Sequence, residues 1–277
     1  LDNQGRTQRL QSNLERLYGA LSPIEAVSSE SSYNCQAVAQ NLPLSHATSY
    51  RNMVAICESG SLKSMQKLID QGILTHRMCA ETELGTANGV FFYAGAFSYP
   101  ATNFGFLFKA NIEEAHPVDG GATPFDSGGL VKHFDWGTKT TELPIEFFSR
   151  HELPIPDYRR YLHRSFEVLY NRDPWRYLDP EDVTLANDPV KLANGDVRRR
   201  RTHEVRIPDS VLLRSAHLVA VFAPKNRIAA LPEVRALFTW CRQNKVERRS
   251  FDSPGGDDFS GLRSASLDYL REKISLY

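Results

Sequence analysis

A single α+β domain is the fold class the sequence predicts, and three observations point to it. The runs "GVFFYAGAF" from Gly89 and "FGFLFKANI" from Phe104 are rich in the aromatic and branched residues that strands favour. The stretch "DYRRYLHRSFEVLY" (157–170) repeats apolar residues at helical spacing through Tyr158, Tyr161, Leu162, Phe166 and Leu169. The two kinds of segment alternate without a regular βαβ rhythm, which argues against a doubly wound parallel sheet.

In chain order, Leu10, Leu14, Leu17 and Leu21 predict an amphipathic N-terminal helix, and "SSESSYNC" a loop. "LPLSHAT" predicts a short strand ending near His46. Ser49 is placed to cap a helix carrying Tyr50, Met53 and Cys57, with Gly60 as its stop. A second short helix from Lys63 to Asp70 ends at Gly72. The aromatic strands follow, separated by "SYPATN". "HPVDGGATPFDSGGLVKHF" is dense in Gly, Pro and Asp and predicts an irregular loop, as does "NRDPWRYLDPEDVTLANDPVKLANGDV" after the helix over 157–170. "THEVRI" alternates as a strand, "VLLRSAHLVAVFAP" supplies one or two more, and helices over 232–246 and 261–275 close the chain.

The bulk composition narrows the function. Lys plus Arg and Asp plus Glu are 33 each, so no whole-molecule field suits a general nucleic-acid binder, and any such binding needs a local patch. Cys35, Cys57, Cys79 and Cys241 are widely spaced and form no zinc-type cluster, as expected of a reduced, cytoplasmic, metal-free protein. No apolar run approaches the roughly 20 residues that span a bilayer, and the first residues lack a signal-peptide core.

One local patch stands out. "RRRRTHEVRI" places Arg198, Arg199, Arg200 and Arg201 directly before the lone carboxylate of Glu204. Strand alternation puts Thr202, Glu204 and Arg206 on one face and His203, Val205 and Ile207 on the other. The apolar pair marks the buried face, so Glu204 points into a cleft or to solvent; in the second case it is a surface acid neutralised by its arginines. A second constellation is His46 with Thr48, two apart on a strand and projecting the same way. Together they offer donors and acceptors suited to a ribose or a carboxamide. The alternative for His46 is a satisfied, half-buried histidine at a strand end.

The two segments together resemble a family. In "HATSYRNMVAICESGSL", residues His46, Thr48, Asn52, Met53, Ile56, Gly60 and Leu62 follow the pattern H-x-T, then N-apolar-x-x-I-x-x-x-G-x-L. This is similar to the first NAD-binding segment of the ADP-ribosyltransferase superfamily, above all the DarT-like toxins that modify nucleic-acid bases. "RRTHEV" resembles the strand carrying that superfamily's single catalytic glutamate, here Glu204. Thr202 stands where the family has Gln or Glu, a position that helps choose the group modified. "GVFFYAG" takes the place of the middle strand, with Tyr93, or else Phe91 or Phe92, against the nicotinamide. Arg77 matches an arginine that contacts the NAD phosphates. The resemblance covers roughly residues 42–95 and 198–222, and the Arg-His-x-x-Gly pattern of the RNA 2′-phosphotransferase branch is absent.

The resemblance implies split antiparallel sheets forming an NAD cleft, with added helices. It divides the chain into a helical extension (1–40), a catalytic domain (41–230) and C-terminal helices on the same domain (231–277). It implies transfer of ADP-ribose from NAD, the co-substrate, to a macromolecule, by an intracellular toxin or defence effector that an antitoxin or inhibitor protein would control. Glu204 would stabilise charge growing on the ribose as nicotinamide leaves. His46 and Thr48 would hold ribose or carboxamide. The four arginines would keep the acid ionised and, with Thr202, meet a phosphate-bearing acceptor, DNA or RNA. A protein acceptor, an NAD glycohydrolase and a non-catalytic nucleic-acid-binding module are the alternatives. "FDSGGL" has the look of a serine-protease nucleophile segment without the rest of that pattern, and predicts instead a tight loop using Gly128 and Gly129.

Overall fold

The computed structural model describes residues 34–74, 79–99, 102–110, 112, 120–124, 126–128, 131, 144–168, 170, 172–179, 203–253 and 256–274. The N-terminal helix expected over Leu10 to Leu21, Arg77, and the run from Arg198 to Thr202 lie outside them.

The first segment runs α1 (Cys35–Asn41), β1 (Leu44–Thr48), α2 (Tyr50–Ser59), β2 (Ser61–Lys63), α3 (Met65–Asp70), α4 (Cys79–Glu83) and β3 (Gly89–Ala94). Helix α2 stops where the sequence says it should, with Gly60 at φ 63°, a left-handed conformation that glycine adopts without steric cost. Next come β4 (Phe104–Phe108), β5 (Gly121–Thr123), α5 (Pro144–His151), β6 (Leu153–Pro154), α6 (Ile155–Val168) and α7 (Pro174–Leu178). The chain closes with β7 (Glu204–Pro208), β8 (Ser210–Leu212), β9 (Leu218–Pro224), α8 (Lys225–Ala230), α9 (Pro232–Gln243), β10 (Glu247–Phe251) and α10 (Asp258–Ile274). Helices and a mostly antiparallel sheet make this an α+β fold.

The main sheet has the order β10-β9-β4-β1-β3-β7-β5-β6, and β2 pairs with β8 in a small second sheet. The two aromatic strands are not neighbours, because β1 lies between them and pairs antiparallel with both. Every residue of β4 is buried, which is why it reads as a continuous apolar run rather than an alternation. The β9–β10 pair is parallel and the other ladders of the main sheet are antiparallel.

The sheet is nearly cut in two. Strand β1 pairs with β4 along its whole length, Leu44 to Thr48, and β3 pairs with β7 from Gly89 to Tyr93. Yet β1 and β3 meet only at Leu44↔Ala94 and Ser45↔Tyr93. The halves β10-β9-β4-β1 and β3-β7-β5-β6 therefore part after Ser45. Side chains hold the seam: Ser45 Oγ donates to the Tyr93 carbonyl at 3.1 Å, and His46 Nδ1 lies 2.9 Å from the Phe91 carbonyl oxygen. Where the ladder ends, the histidine takes over a carbonyl that the next strand would otherwise satisfy.

Two loop expectations are corrected. Gly121–Thr123 is a strand, because β7 and β6 flank it and supply hydrogen-bonding partners that local composition does not reveal. Pro174–Leu178 is a short helix, started by Pro174 at its first position and capped by Asp173, whose side chain accepts from the Trp175 amide. Among the described residues no helix is long and apolar enough to cross a membrane, and no group of three or more His, Cys, Asp or Glu is placed to hold a metal ion.

Candidate active site

The wedge between the two sheet halves opens into a cavity of about 390 Å³. His46, Ala47 and Thr48 line it from β1, Phe91 and Tyr93 from β3, and Glu204 from β7. Ser49 and Asn52 approach from the start of α2, Glu81 and Leu84 from α4 and the turn after it, and Asp126, Ser127 and Gly128 from the segment after β5. Glu204, His46, Thr48 and Tyr93, separated by up to 158 positions in the chain, thus share one cavity.

Of the two orientations open to Glu204, the cleft is the one found. Its carboxylate is 5% exposed, while Val205 and Ile207 are buried on the other side of the strand. Ser127 Oγ donates a hydrogen bond to Glu204 Oε1 at 2.5 Å. Thr123 lies opposite Glu204 across the β5–β7 ladder, and Tyr93 lies opposite it across β3–β7. Two residues along β7, Arg206 is ion-paired with Glu152 and lies 5.9 Å from the Phe148 ring centroid.

His46 is held neutral. Loss of water around the ring lowers its pKa below the usual histidine range, against the smaller opposing effect of the Phe91 carbonyl. Its ring is half-buried by surface area, but a narrow cleft removes most solvation even where some surface stays open. A carbonyl only accepts, so Nδ1 carries the proton and Nε2 is left as an acceptor. Among the aromatic candidates, Phe92 is fully buried and packs edge-on against Phe108, away from the cavity lining. Phe91 and Tyr93 line the cavity, and Tyr93 stacks with Tyr99 at 6.4 Å and 21° between ring planes. The site so assembled sets the Glu204 carboxylate among aromatic rings, hydroxyls and a neutral imidazole, with Glu81 and Asp126 also in the lining.

Asp126, Tyr99 and Glu81 are cleft residues that the sequence does not single out, whereas Ser127 stands out in it only as the nucleophile position of a protease-like segment. The tight loop expected of "FDSGGL" is corrected: Ser127 and Gly128 are helical, and Gly128 is not among the positive-φ glycines. The Ser127 hydroxyl donates to the glutamate. Nothing local to Tyr99 or Glu81 marks them.

Similar solved structures include three of DarT from Thermus sp. 2.9. The one in complex with NAD+ has 10% identity, covers 76% of this chain and 94% of that chain, and superposes with a TM-score of 0.42. The complex with carba-NAD+ has 12% identity, the same coverages and a TM-score of 0.40. The complex with ADP-ribosylated ssDNA has 10% identity, covers 76% and 92%, and scores 0.40. No protein-family model and no curated protein matches the chain in sequence.

Proposed function

We propose that this protein transfers ADP-ribose from NAD to a macromolecular acceptor, a nucleic-acid base ahead of a protein side chain. The observation that carries the reading is the buried carboxylate of Glu204 in a cleft whose lining also offers aromatic rings, hydroxyls, a neutral histidine and the acids Glu81 and Asp126. These groups fit the nicotinamide-ribose half of NAD. Phe91 and Tyr93 offer flat apolar surface, and Thr48 with His46 Nε2 offers hydrogen-bonding partners for ribose or carboxamide.

NAD supplies a ribose carbon that becomes electron-poor as nicotinamide departs. Glu204 meets that positive charge with a fixed negative one, a contribution strengthened by the low dielectric of a closed cleft. The same carboxylate is the base for the proton of the attacking acceptor group. Arg77 is assigned to the pyrophosphate. Arg198, Arg199, Arg200, Arg201 and Thr202, which precede Glu204 directly in sequence, are assigned to the acceptor. In this reading the protein acts inside a cell as a toxin or defence effector, restrained by an inhibitor protein.

The test is to incubate the full chain with radiolabelled NAD and separate pools of DNA, RNA and lysate protein. Label is expected in a nucleic-acid pool and absent with Glu204→Gln. Label in protein alone would move the acceptor class. Free ADP-ribose with no labelled pool would make the protein a glycohydrolase and end the transferase reading.

A further inference from the structure

We propose that Ser127 is a positioning residue: it fixes the rotation of the Glu204 carboxylate and holds it ionised for the reaction. The inference rests on the transferase reading and extends it to a segment that reading leaves without a task.

The two side chains are 77 positions apart, and the fold takes particular steps to join them. Strand β5 lies directly on β7, with Gly121↔Arg206, Ala122↔Val205 and Thr123↔Glu204 in register. Two glycines permit that approach. A Cβ on Gly120 would sit 2.8 Å from the Arg206 backbone oxygen, and one on Gly121 would overlap the Glu152 side chain that pairs with Arg206. The chain then turns through Pro124 and returns Ser127, four residues past Thr123, onto Glu204. Ser127 is 3% exposed and Glu204 5%, so the bond is made away from competing water. Gly120 and Gly121 at the start of β5, and Asp126, Ser127 and Gly128 after it, are the two ends of this arrangement.

A glutamate side chain turns about three bonds, and a hydroxyl bonded to Oε1 removes part of that freedom. Misplacement by about 1 Å costs reactions of this kind up to about 10²-fold. A hydroxyl on Oε1 fixes the group without exhausting it, because a carboxylate offers about four acceptor positions over its two oxygens. A hydrogen bond donated to the ionised form also favours that form. The other titratable residues lining the cleft are His46 on β1, Tyr93 on β3, Tyr99, Glu81 and Asp126, and none of them is substituted in Ser127→Ala.

The experiment measures nicotinamide release from NAD against pH, with DNA, RNA and lysate protein supplied as acceptors, for the wild-type chain, Ser127→Ala, Ser127→Thr and Glu204→Gln, each checked for folding by circular dichroism. Ser127→Ala is expected to lower kcat on the order of 10-fold, the effect of losing one hydrogen bond to a charged group. KM for NAD should stay within about two-fold, the pattern of an interaction used in the transition state. The acid limb of kcat should move toward neutral pH, and Ser127→Thr, which keeps the hydroxyl, should restore both rate and profile. A folded Ser127→Ala with wild-type kcat and pH profile would overturn the proposal, as would a rise in KM alone. A wild-type chain that releases no nicotinamide fails differently: it removes the transferase reading and this inference with it, whereas failure confined to the Ser127 variants removes the inference only.

Discussion

Two histidines, His46 and His203, bracket the candidate site, and burial keeps both neutral. His203, next to Glu204 but on the opposite face of the strand, is pushed down to about 3, chiefly by burial and secondarily by the Arg159 charge. Its ring packs against Tyr161 and Tyr177 at centroid distances of 5.3 and 5.6 Å, and its amide donates to the Tyr177 hydroxyl. The unfolded chain binds a proton at His203 near pH 6.5, whereas the folded chain does not until near pH 3. Between those values the unfolded state holds more protons, so stability is present above pH 6.5 and is lost as pH falls. This one group should lower unfolding free energy by about 2 kcal/mol between pH 7 and pH 5. Urea titrations at the two pH values check it: His203→Phe should flatten the dependence by that amount, and an unchanged slope would contradict it. His46 takes part in the same logic at the site itself, since a protonated ring would lose the acceptor at Nε2.

Strand β4 shows how tightly the elements fit around the seam. A Cβ on Gly105 would stand 2.2 to 2.7 Å from three atoms of the Phe97 ring, which is fully buried and packs edge-on against Phe222 at 5.3 Å. The ring has nowhere to go, so Gly105→Ala should cost about 1–3 kcal/mol by overpacking. A denaturant midpoint equal to that of wild type would contradict this. The elements legible in the sequence are those whose pattern matches their burial: β3, β4, β7 and β9 through branched and aromatic residues, and α2 through its apolar face and Gly60. Strand β10 was hidden because its residues Glu247, Arg248, Arg249 and Ser250 are polar and exposed or half-exposed at the sheet edge, where pairing with β9 rather than composition makes the strand. Strand β5 was hidden for the related reason that its flanking strands define it. The orientation of Glu204 could be narrowed to two choices by alternation alone. Its bond to Ser127 could not be read, because it depends on a non-local β5–β7 register.

At the scale of the molecule, the cleft exists because two sheet halves share only two residue pairs, and distant helices keep them in place. Arg263 on α10 is 5% exposed and donates to the carbonyls of Phe97 at 3.0 Å and Leu178 at 2.8 Å, with Asp179 at 3.7 Å. It ties the C-terminal helix to the chain leaving β3 and to the end of α7. Arg263→Met would leave two buried carbonyls without this donor and should cost about 3 kcal/mol or more; thermal unfolding showing wild-type stability would refute the clamp. The central claim concerns what the parted sheet is for, and nicotinamide release from NAD, with DNA, RNA and lysate protein present as acceptors, by the wild-type chain and by Glu204→Gln tests it most directly. The account predicts release by wild type and a loss on the order of 10²-fold or more in the variant. Equal release by the two folded proteins, or none by wild type, would contradict it.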